Sequence, residues 1–310
     1  MSLPSSNKPC FMLSILIPIY NFDVRRLAGE LHRQAAAFPA AVEILCFDDG
    51  SEAHWKTLNR ELAGLPMAVY KELPQNLGRS RIRNVLADAA RGSHLLFMDC
   101  DSEVPDDAYL RRYLEALDEE SLLYGGRVYR AEPPADPQLY LHWLYGSRRE
   151  QMSPARRREQ PYHHFMTNNF LIPAVVFQSI RFDERLLQYG HEDTLFGMEL
   201  RKRKVPVKHL DNPLVHIGLE PAEAFLDKTR KGVCNLAFLY RSGINVEARI
   251  GAFYQKLKRM GLNRPVKSGL RLLRPLLRRN LLSANPSLFF LDLYKLSILL
   301  EELSWSIIDV

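Results

Sequence analysis

Short runs of apolar residues alternate with amphipathic stretches through the first third of the chain. Met12 to Ile19 is apolar and β-branched, the composition of a buried strand, and it ends at the turn signal Pro18-Ile19-Tyr20-Asn21. Val24, Leu27, Leu31, Ala35 and Phe38 then recur at helical spacing, with Asp23 placed to cap the helix. A second strand, Val42 to Phe47, runs into Asp48-Asp49-Gly50-Ser51, followed by a helix near Trp55–Leu62 and a third strand near Met67–Lys71. A loop containing Asn76-Leu77-Gly78 leads to a helix from Arg79 to Ala90 and to the run Leu95-Leu96-Phe97-Met98. Strand and helix alternating in this way predict an α/β fold, a mostly parallel sheet sandwiched by helices. Beyond Glu103 the pattern predicts a helix over Asp106–Leu117, strands over Leu122–Arg130, Asn168–Ile172 and Val205–His209, and a helix over 193–203. Residues 132–161 read as irregular and arginine-rich, and from about Pro221 the pattern is almost wholly helical. The expected organisation is a tail over 1–10, a nucleotide-binding half over 11–125, an acceptor and catalytic half over 126–220, and a helical region over 221–310.

Composition narrows this only slightly. Of 310 residues 46% are hydrophobic, enough for a substantial core, and 42 basic against 36 acidic residues give a net charge of +6. Such a charge is compatible with nucleotides, anionic lipid or nucleic acid and selects none of them. Cys10, Cys46, Cys100 and Cys234 lie far apart, which suits thiols in a reducing cytoplasm. No leader-like segment and no apolar window of about 20 residues occurs, so a soluble or peripheral protein is expected.

The candidate chemistry sits at the strand ends. Asp99-Cys100-Asp101-Ser102-Glu103 closes the fourth apolar run with three acids. Two carboxylates so close repel unless a cation joins them, and oxygen ligands suit Mg²⁺ or Mn²⁺ sharing a shell with phosphates; an ordinary surface turn explains the same residues equally well. Asp48-Asp49-Gly50-Ser51 is either a common turn or a carboxylate tip for a nucleobase or ribose. Arg79, Arg81 and Arg83 would face a diphosphate or form a solvated helix face, with Arg79 and Arg83 one turn apart. Glu192 and Asp193, bracketed by Gly190 and Gly197, open a helix, where acids offset the dipole and where a carboxylate can serve as general base. His216 ends an apolar run, as a core histidine or as a ligand beside Asp101. Asn168 and Asn169 would bond sugar hydroxyls or merely end a strand.

In order and spacing, Ile17-Pro18-Ile19-Tyr20-Asn21, Phe47-Asp48-Asp49-Gly50-Ser51, Asn76-Leu77-Gly78 with Arg83-Asn84, Asp99-Cys100-Asp101-Ser102 and Glu192-Asp193 resemble family 2 glycosyltransferases of the GT-A fold. The resemblance covers about residues 13–218. It implies a GT-A sheet with a C-terminal helical extension, and an inverting transfer from a nucleotide-sugar, of UDP type, to a hydroxyl of a glycan or lipid-linked acceptor. By the same resemblance Pro18, Tyr20, Asn21, Asp49, Arg79, Arg83 and Asp99 would bind the nucleotide-sugar, with Asp49 on the base and Asp99 on the ribose side. Asp101 and His216 would hold Mn²⁺ or Mg²⁺, and Asp193 beside Glu192 would be the catalytic base. Asn168 and Asn169 stand as weaker acceptor contacts. A nucleotidyltransferase of similar fold, or a non-catalytic sugar- or nucleotide-binding protein, is the alternative.

The basic residues between 253 and 281, interleaved with Leu257, Leu270, Leu272, Leu273, Leu276 and Leu277, suit an anionic membrane surface or a helical subdomain packed on the core. Nucleic acid is not an expected partner, and the expected location is cytoplasmic, or peripheral on the inner membrane face.

Overall fold

The computed structural model describes residues 12–38, 41–185 and 190–304. Its strands are β1 (Met12–Ile19), β2 (Ala41–Asp48), β3 (Ala68–Glu72), β4 (His94–Met98), β5 (Ser102–Glu103), β6 (Leu122–Tyr124), β7 (Arg127–Val128), β8 (Asn169–Pro173), β9 (Val207–His209) and β10 (Leu214–His216). Between the early strands lie α1 (Arg25–Ala35), α2 (Ala53–Asn59), α3 (Arg79–Ala89) and α4 (Tyr109–Glu115). Later come α5 (Tyr140–Tyr145), α6 (Pro154–Glu159), α7 (Ala174–Ile180) and α8 (Glu192–Lys202). Four helices close the described chain: α9 (Ala222–Arg241), α10 (Arg249–Arg259), α11 (Asn263–Leu281) and α12 (Leu288–Glu302).

Seven strands form the main sheet in the order β3-β2-β1-β4-β8-β6-β9. The β2–β1, β1–β4 and β2–β3 pairings are parallel, and β8 runs antiparallel between β4 and β6. Continuous apolar runs in β1 and β4 follow from this position, because central strands of a two-faced sheet bury both sets of side chains. Leu13, Ile15 and Ile17 pack with Leu27, Leu31 and Ile44 on one face. Leu16, Phe97, Phe170 and Phe196 pack with Ile82 and Leu86 on the other. The parallel order sends β1, β2 and β4 to one edge with their carboxyl ends together, where open α/β sheets take ligands.

The structure departs from the sequence pattern at three places. Asp23 does not cap from the first flanking position; Val24 occupies it, and Asp23 Oδ1 accepts from the Arg25 N–H at 3.1 Å. The stretch 122–130 is two strands rather than one, broken at Gly125-Gly126. Gly126 has φ +100, and a Cβ there would lie 2.8 Å from the Arg157 guanidinium. Arg157 donates to the carbonyls of Tyr124, Gly125 and Leu210, so one member of the arginine-rich stretch is a buried structural cap. The segment 132–161, expected to be irregular, contains α5, a wide π-type turn over Gly146–Glu150, and α6.

The helical C-terminal region has its own apolar cluster, including Leu236, Leu257, Leu277, Leu291 and Leu299, and Leu141 and Leu195 from the preceding half join it. The leucines of 253–281 divide between two faces of the helices. Leu257, Leu270 and Leu277 are buried, whereas Leu272 and Leu276 are 81% and 60% exposed. No helix among the described residues is long and apolar enough to cross a membrane.

Candidate active site

The loops at the carboxyl edge of β1 and β2 brace each other. Asn21 sits in the left-handed region at φ 50, which asparagine tolerates better than most residues. Its N–H donates to Ser51 Oγ at 2.8 Å, and its Oδ1 accepts from the Glu52 N–H at 2.9 Å. Asp48 Oδ1 accepts from the Ser51 N–H at 2.7 Å. Asp49 points at the next loop: its two oxygens accept from the N–H groups of Leu77 and Gly78, at 2.7 and 3.0 Å. Burial raises the Asp49 carboxyl against the pull of those two bonds. Asp49 thus orders the entry to α3, while Pro18 is half-buried and Tyr20 lies exposed at the tip of β1.

From α3 the arginines reach the end of β4. Arg83 Nη2 donates to Asp99 Oδ1 at 2.5 Å, Arg127 Nη2 donates to Asp99 Oδ2 at 2.9 Å, and Arg79 lies 3.8 Å from the same carboxylate. Arg83 is only 2% exposed and also donates to the Arg79 carbonyl, so it is a buried counterion of Asp99 and not the diphosphate ligand expected from its spacing. Burial lowers the Arg83 pKa from its ordinary value. Arg79 remains partly exposed and pairs with Glu192. Glu150 lies 3.4 Å from Arg127 and Glu192 pairs with Arg79, so carboxylates hold the guanidinium groups around Asp99 in place, with Arg79 and Arg127 left lining the cleft.

β5 and β10 pair antiparallel with Ser102 opposite His216, setting His216 beside Asp101. The Ile217 N–H donates to the Asp101 carbonyl at 2.9 Å. Gly218 permits this approach, since a Cβ there would meet Asp101 Oδ2 at 2.6 Å. His216 Nδ1 and Asp101 Oδ1 stand 3.5 Å apart, too far for a good hydrogen bond. Both His216 nitrogens and Asp101 Oδ1 are buried without a partner. Burial alone would raise the Asp101 carboxyl, but His216, Arg127 and Arg79 outweigh it and hold it well below the usual carboxylate range.

Orphaned buried polar atoms of this kind call for an unseen partner. A carboxylate oxygen and an imidazole nitrogen suit Mn²⁺ or Mg²⁺ when phosphate oxygens supply the rest of the shell. Among the described residues no cluster of three or more histidine, cysteine or acidic side chains could hold a metal alone. The donor set therefore fits a substrate-shared ion and not a closed structural site.

A cleft of about 290 Å³ opens here, lined by Arg79, Asp99, Asp101, Arg127, Glu150 and His216 and by Lys228 and Lys295 from α9 and α12. Sequence reasoning missed Arg127, His142 and the two lysines. Arg127 carried a weak signal as a charge following an apolar strand; His142 carried none. His142 Nδ1 accepts from the Glu220 N–H at 3.0 Å, placing any proton on Nε2, and its ring stacks on Phe225. Burial and then the neighbouring His216 push its pKa down to about 4.

Glu192 and Asp193 open α8 next to Gly190 and His191, which line the cleft. Glu192, expected among the catalytic acids, is buried against Arg79, and burial is outweighed by Arg79 and Arg83, so its carboxyl is lowered. Asp193 behaves oppositely. Burial and the Glu192 charge push it up to about 6, against the Thr194 N–H that donates to its Oδ1 at 2.7 Å. Neighbouring acids with pKa values driven apart are a common arrangement for assigning one as base and one as counterion.

The two asparagines separate. Asn169 is fully buried and saturated: Oδ1 accepts from the Tyr109 and Tyr113 hydroxyls at 2.6 and 2.7 Å, and Nδ2 donates to the carbonyls of Gly126 and Asn212, both at 2.9 Å. It has no capacity left for a sugar, which corrects the expectation for this residue. Asn168 is buried as well; its Oδ1 accepts weakly from the Tyr124 hydroxyl at 3.3 Å, and its Nδ2 has no partner.

Comparison with known proteins bears on the fold and the family. TarS of S. aureus superposes with a TM-score of 0.50 at 19% identity, covering 82% of this chain and 43% of TarS. Glucosyl-3-phosphoglycerate synthase from Mycobacterium tuberculosis, solved with Mn²⁺, UDP and glucosyl-3-phosphoglycerate, superposes with a TM-score of 0.52 at 16% identity, covering 76% of this chain and 82% of that one. These likenesses make the fold GT-A. A putative inactive polypeptide N-acetylgalactosaminyltransferase 12 of Drosophila melanogaster is 29% identical over 144 residues. That alignment takes in 40% of this chain, which spans only 24% of the relative's length. Residues 14–181 match the family described as glycosyl transferase family 2, and the chain belongs to that family.

Proposed function

We propose that the protein is an inverting glycosyltransferase that moves a sugar from a nucleotide-sugar, of UDP type, to a hydroxyl of a glycan or lipid-linked acceptor. One observation carries this reading: Asp101 Oδ1 and both His216 nitrogens are buried without a hydrogen-bond partner in a cleft that Arg79 and Arg127 also line. The neighbouring synthase holding Mn²⁺ and UDP, and its relatives on the same fold, supply the donor class by analogy.

Asp101 and His216 would hold the divalent ion, which when bound supplies Lewis-acid stabilisation to the departing diphosphate. Arg79 and Arg127 line the cleft where that negative charge grows, and Asp99 anchors Arg127 toward it. Asp49 and Asn21 hold the two loops beneath the nucleoside, with Pro18 and Tyr20 at the β1 tip. Asp193, poised near pH 6, takes the proton of the acceptor hydroxyl as that oxygen attacks the anomeric carbon. The acceptor oxygen–carbon bond forms as the bond to the diphosphate breaks on the opposite face, so configuration inverts. The exposed Leu272 and Leu276, close in sequence to the exposed Arg271 and Arg279, support contact of α11 with an anionic membrane on the cytoplasmic side.

The test is donor hydrolysis with Mn²⁺ by wild type, Asp101→Ala and Asp193→Ala. Both substitutions should lower turnover by at least about a hundredfold, as loss of a general base or of a charge-stabilising group does. Unchanged turnover in both would overturn the assignment. UDP binding with no turnover in any of the three would favour a non-catalytic nucleotide-binding protein.

A further inference from the structure

A second depression, about 1020 Å³, adjoins the cleft; Tyr145, Ile250 and Lys295 line both. Its described lining carries six cations, Arg148, Arg149, Arg156, Arg249, Lys256 and Lys295, against one carboxylate, Asp292. Asp292 is already engaged, accepting from Arg149 at 2.9 Å, and Lys295 lies over the Tyr145 ring. Among the described residues Arg148, Arg156, Arg249 and Lys256 have no carboxylate within 4.0 Å.

Four uncompensated cations in one concave space repel one another, a cost that an anionic ligand removes. The donor does not account for them, because its diphosphate is matched by Arg79, Arg127 and the Asp101–His216 pair in the cleft next door. Four of the six are arginines, whose planar fork matches phosphate oxygens bidentately. The groove is concave, so it suits a chain or headgroup lying inside it better than a flat membrane surface. Met152, Phe253 and Phe289 give it apolar walls between the charges.

We infer that this groove is the acceptor site and that the acceptor is polyanionic, carrying phosphate groups along or beside its sugar-accepting hydroxyl. The inference rests on the transferase reading above. It gives the arginine-rich segment 148–158 two tasks: Arg157 caps strand carbonyls, while Arg148, Arg149 and Arg156 face the acceptor.

Short-chain linear polyphosphate is the probe, with binding followed by calorimetry in the presence of saturating UDP and Mn²⁺. Wild type should bind, with affinity falling as salt rises. The double variants Arg148→Glu with Arg156→Glu, and Arg249→Glu with Lys256→Glu, should each weaken binding by about tenfold per reversed charge. Lys258→Glu with Arg259→Glu reverses equal charge on α10 outside the groove lining and should change affinity less than about threefold. Melting temperature and UDP affinity check that each variant is folded. Should a charge-reversed pair fail to fold, Arg156→Gln and the wild-type salt slope carry the same comparison. Equal losses in groove and control variants, or displacement of polyphosphate by UDP, would overturn the proposal. Vesicles containing phosphatidylglycerol form the second arm. Vesicle binding lost in the groove variants while polyphosphate binding persists would make the groove a membrane face and also overturn it. Normal polyphosphate binding by a wild type that never hydrolyses donor would instead defeat the transferase reading, leaving an anion site without an acceptor role.

Discussion

The ion pair between Arg83 and Asp99 allows a sharp test of structural against ligand-binding roles. Their side chains are 2% and 11% exposed, and the guanidinium donates to the carboxylate at 2.5 Å. Removing one partner of a buried pair leaves the other uncompensated and costs about 3–5 kcal/mol. In Arg83→Met, Asp99 keeps Arg127 at 2.9 Å and Arg79 at 3.8 Å, so the loss should fall at the lower end of that range. In Asp99→Asn, the buried Arg83 faces only a neutral amide while Arg79 and Arg127 remain close, so the loss should fall at the upper end. An unfolding entropy of about 2.1 cal/mol/K per residue gives about 0.65 kcal/mol/K for this length, so the melting temperature should drop by about 5–8 °C. Thermal denaturation followed by circular dichroism measures this, and a parallel UDP titration separates the roles. Arg83→Met should keep UDP affinity within about threefold, less than 1 kcal/mol. A melting temperature unchanged in Arg83→Met, with UDP affinity reduced tenfold or more, would refute the reasoning and return Arg83 to the diphosphate.

Mn²⁺ added with UDP should raise the wild-type melting temperature by about 4 °C at a hundred times its dissociation constant, worth about 2.7 kcal/mol; Asp101→Asn and His216→Ala should lose that shift. Gly218→Ala, whose Cβ would press on Asp101 Oδ2, should likewise reduce the Mn²⁺ shift, read in the same thermal assay. Asn169→Ala leaves two tyrosine hydroxyls and two carbonyls short of a partner, so it should cost about 3 kcal/mol or more by denaturant titration without specifically raising the KM for acceptor. Turnover should rise with pH through about 6 as Asp193 loses its proton, and Asp193→Asn should abolish that limb. Because the folded Asp193 carboxyl lies above its ordinary value of 3.8, it favours the fold when protonated; that stability is present below about pH 4 and lost as pH rises through 6. The melting temperature of Asp193→Asn relative to wild type should therefore climb between pH 4 and 7, and a flat difference would contradict the raised pKa.

The sheet was legible because it is written in local patterns. Apolar β-branched runs in β1 and β4, alternating with amphipathic helices, dictate a two-faced parallel sheet, and the polar tips after β1, β2 and β4 dictate where a ligand can approach. The break at Gly125-Gly126 was not legible, because its cause is a guanidinium from a segment about thirty residues onward.

For the site, the sequence by itself determined which residue types stand at the strand ends: the acid pairs at 48–49, 99–101 and 192–193, the arginines of α3, and His216. Tertiary structure decided what each of them faces. It turned Asp49 to a loop, buried Arg83 on Asp99, saturated Asn169, matched Glu192 with Arg79 and left Asp193 to carry a raised pKa. It also brought in Arg127, His142, Lys228 and Lys295, and it joined the arginine-rich stretch to α10 and α12 around one groove. The physical reason is that spacing along a chain sets which side chains share a strand tip or a helix face. The partner that satisfies or perturbs a buried charge comes from distant segments, and only packing brings it within a few ångströms.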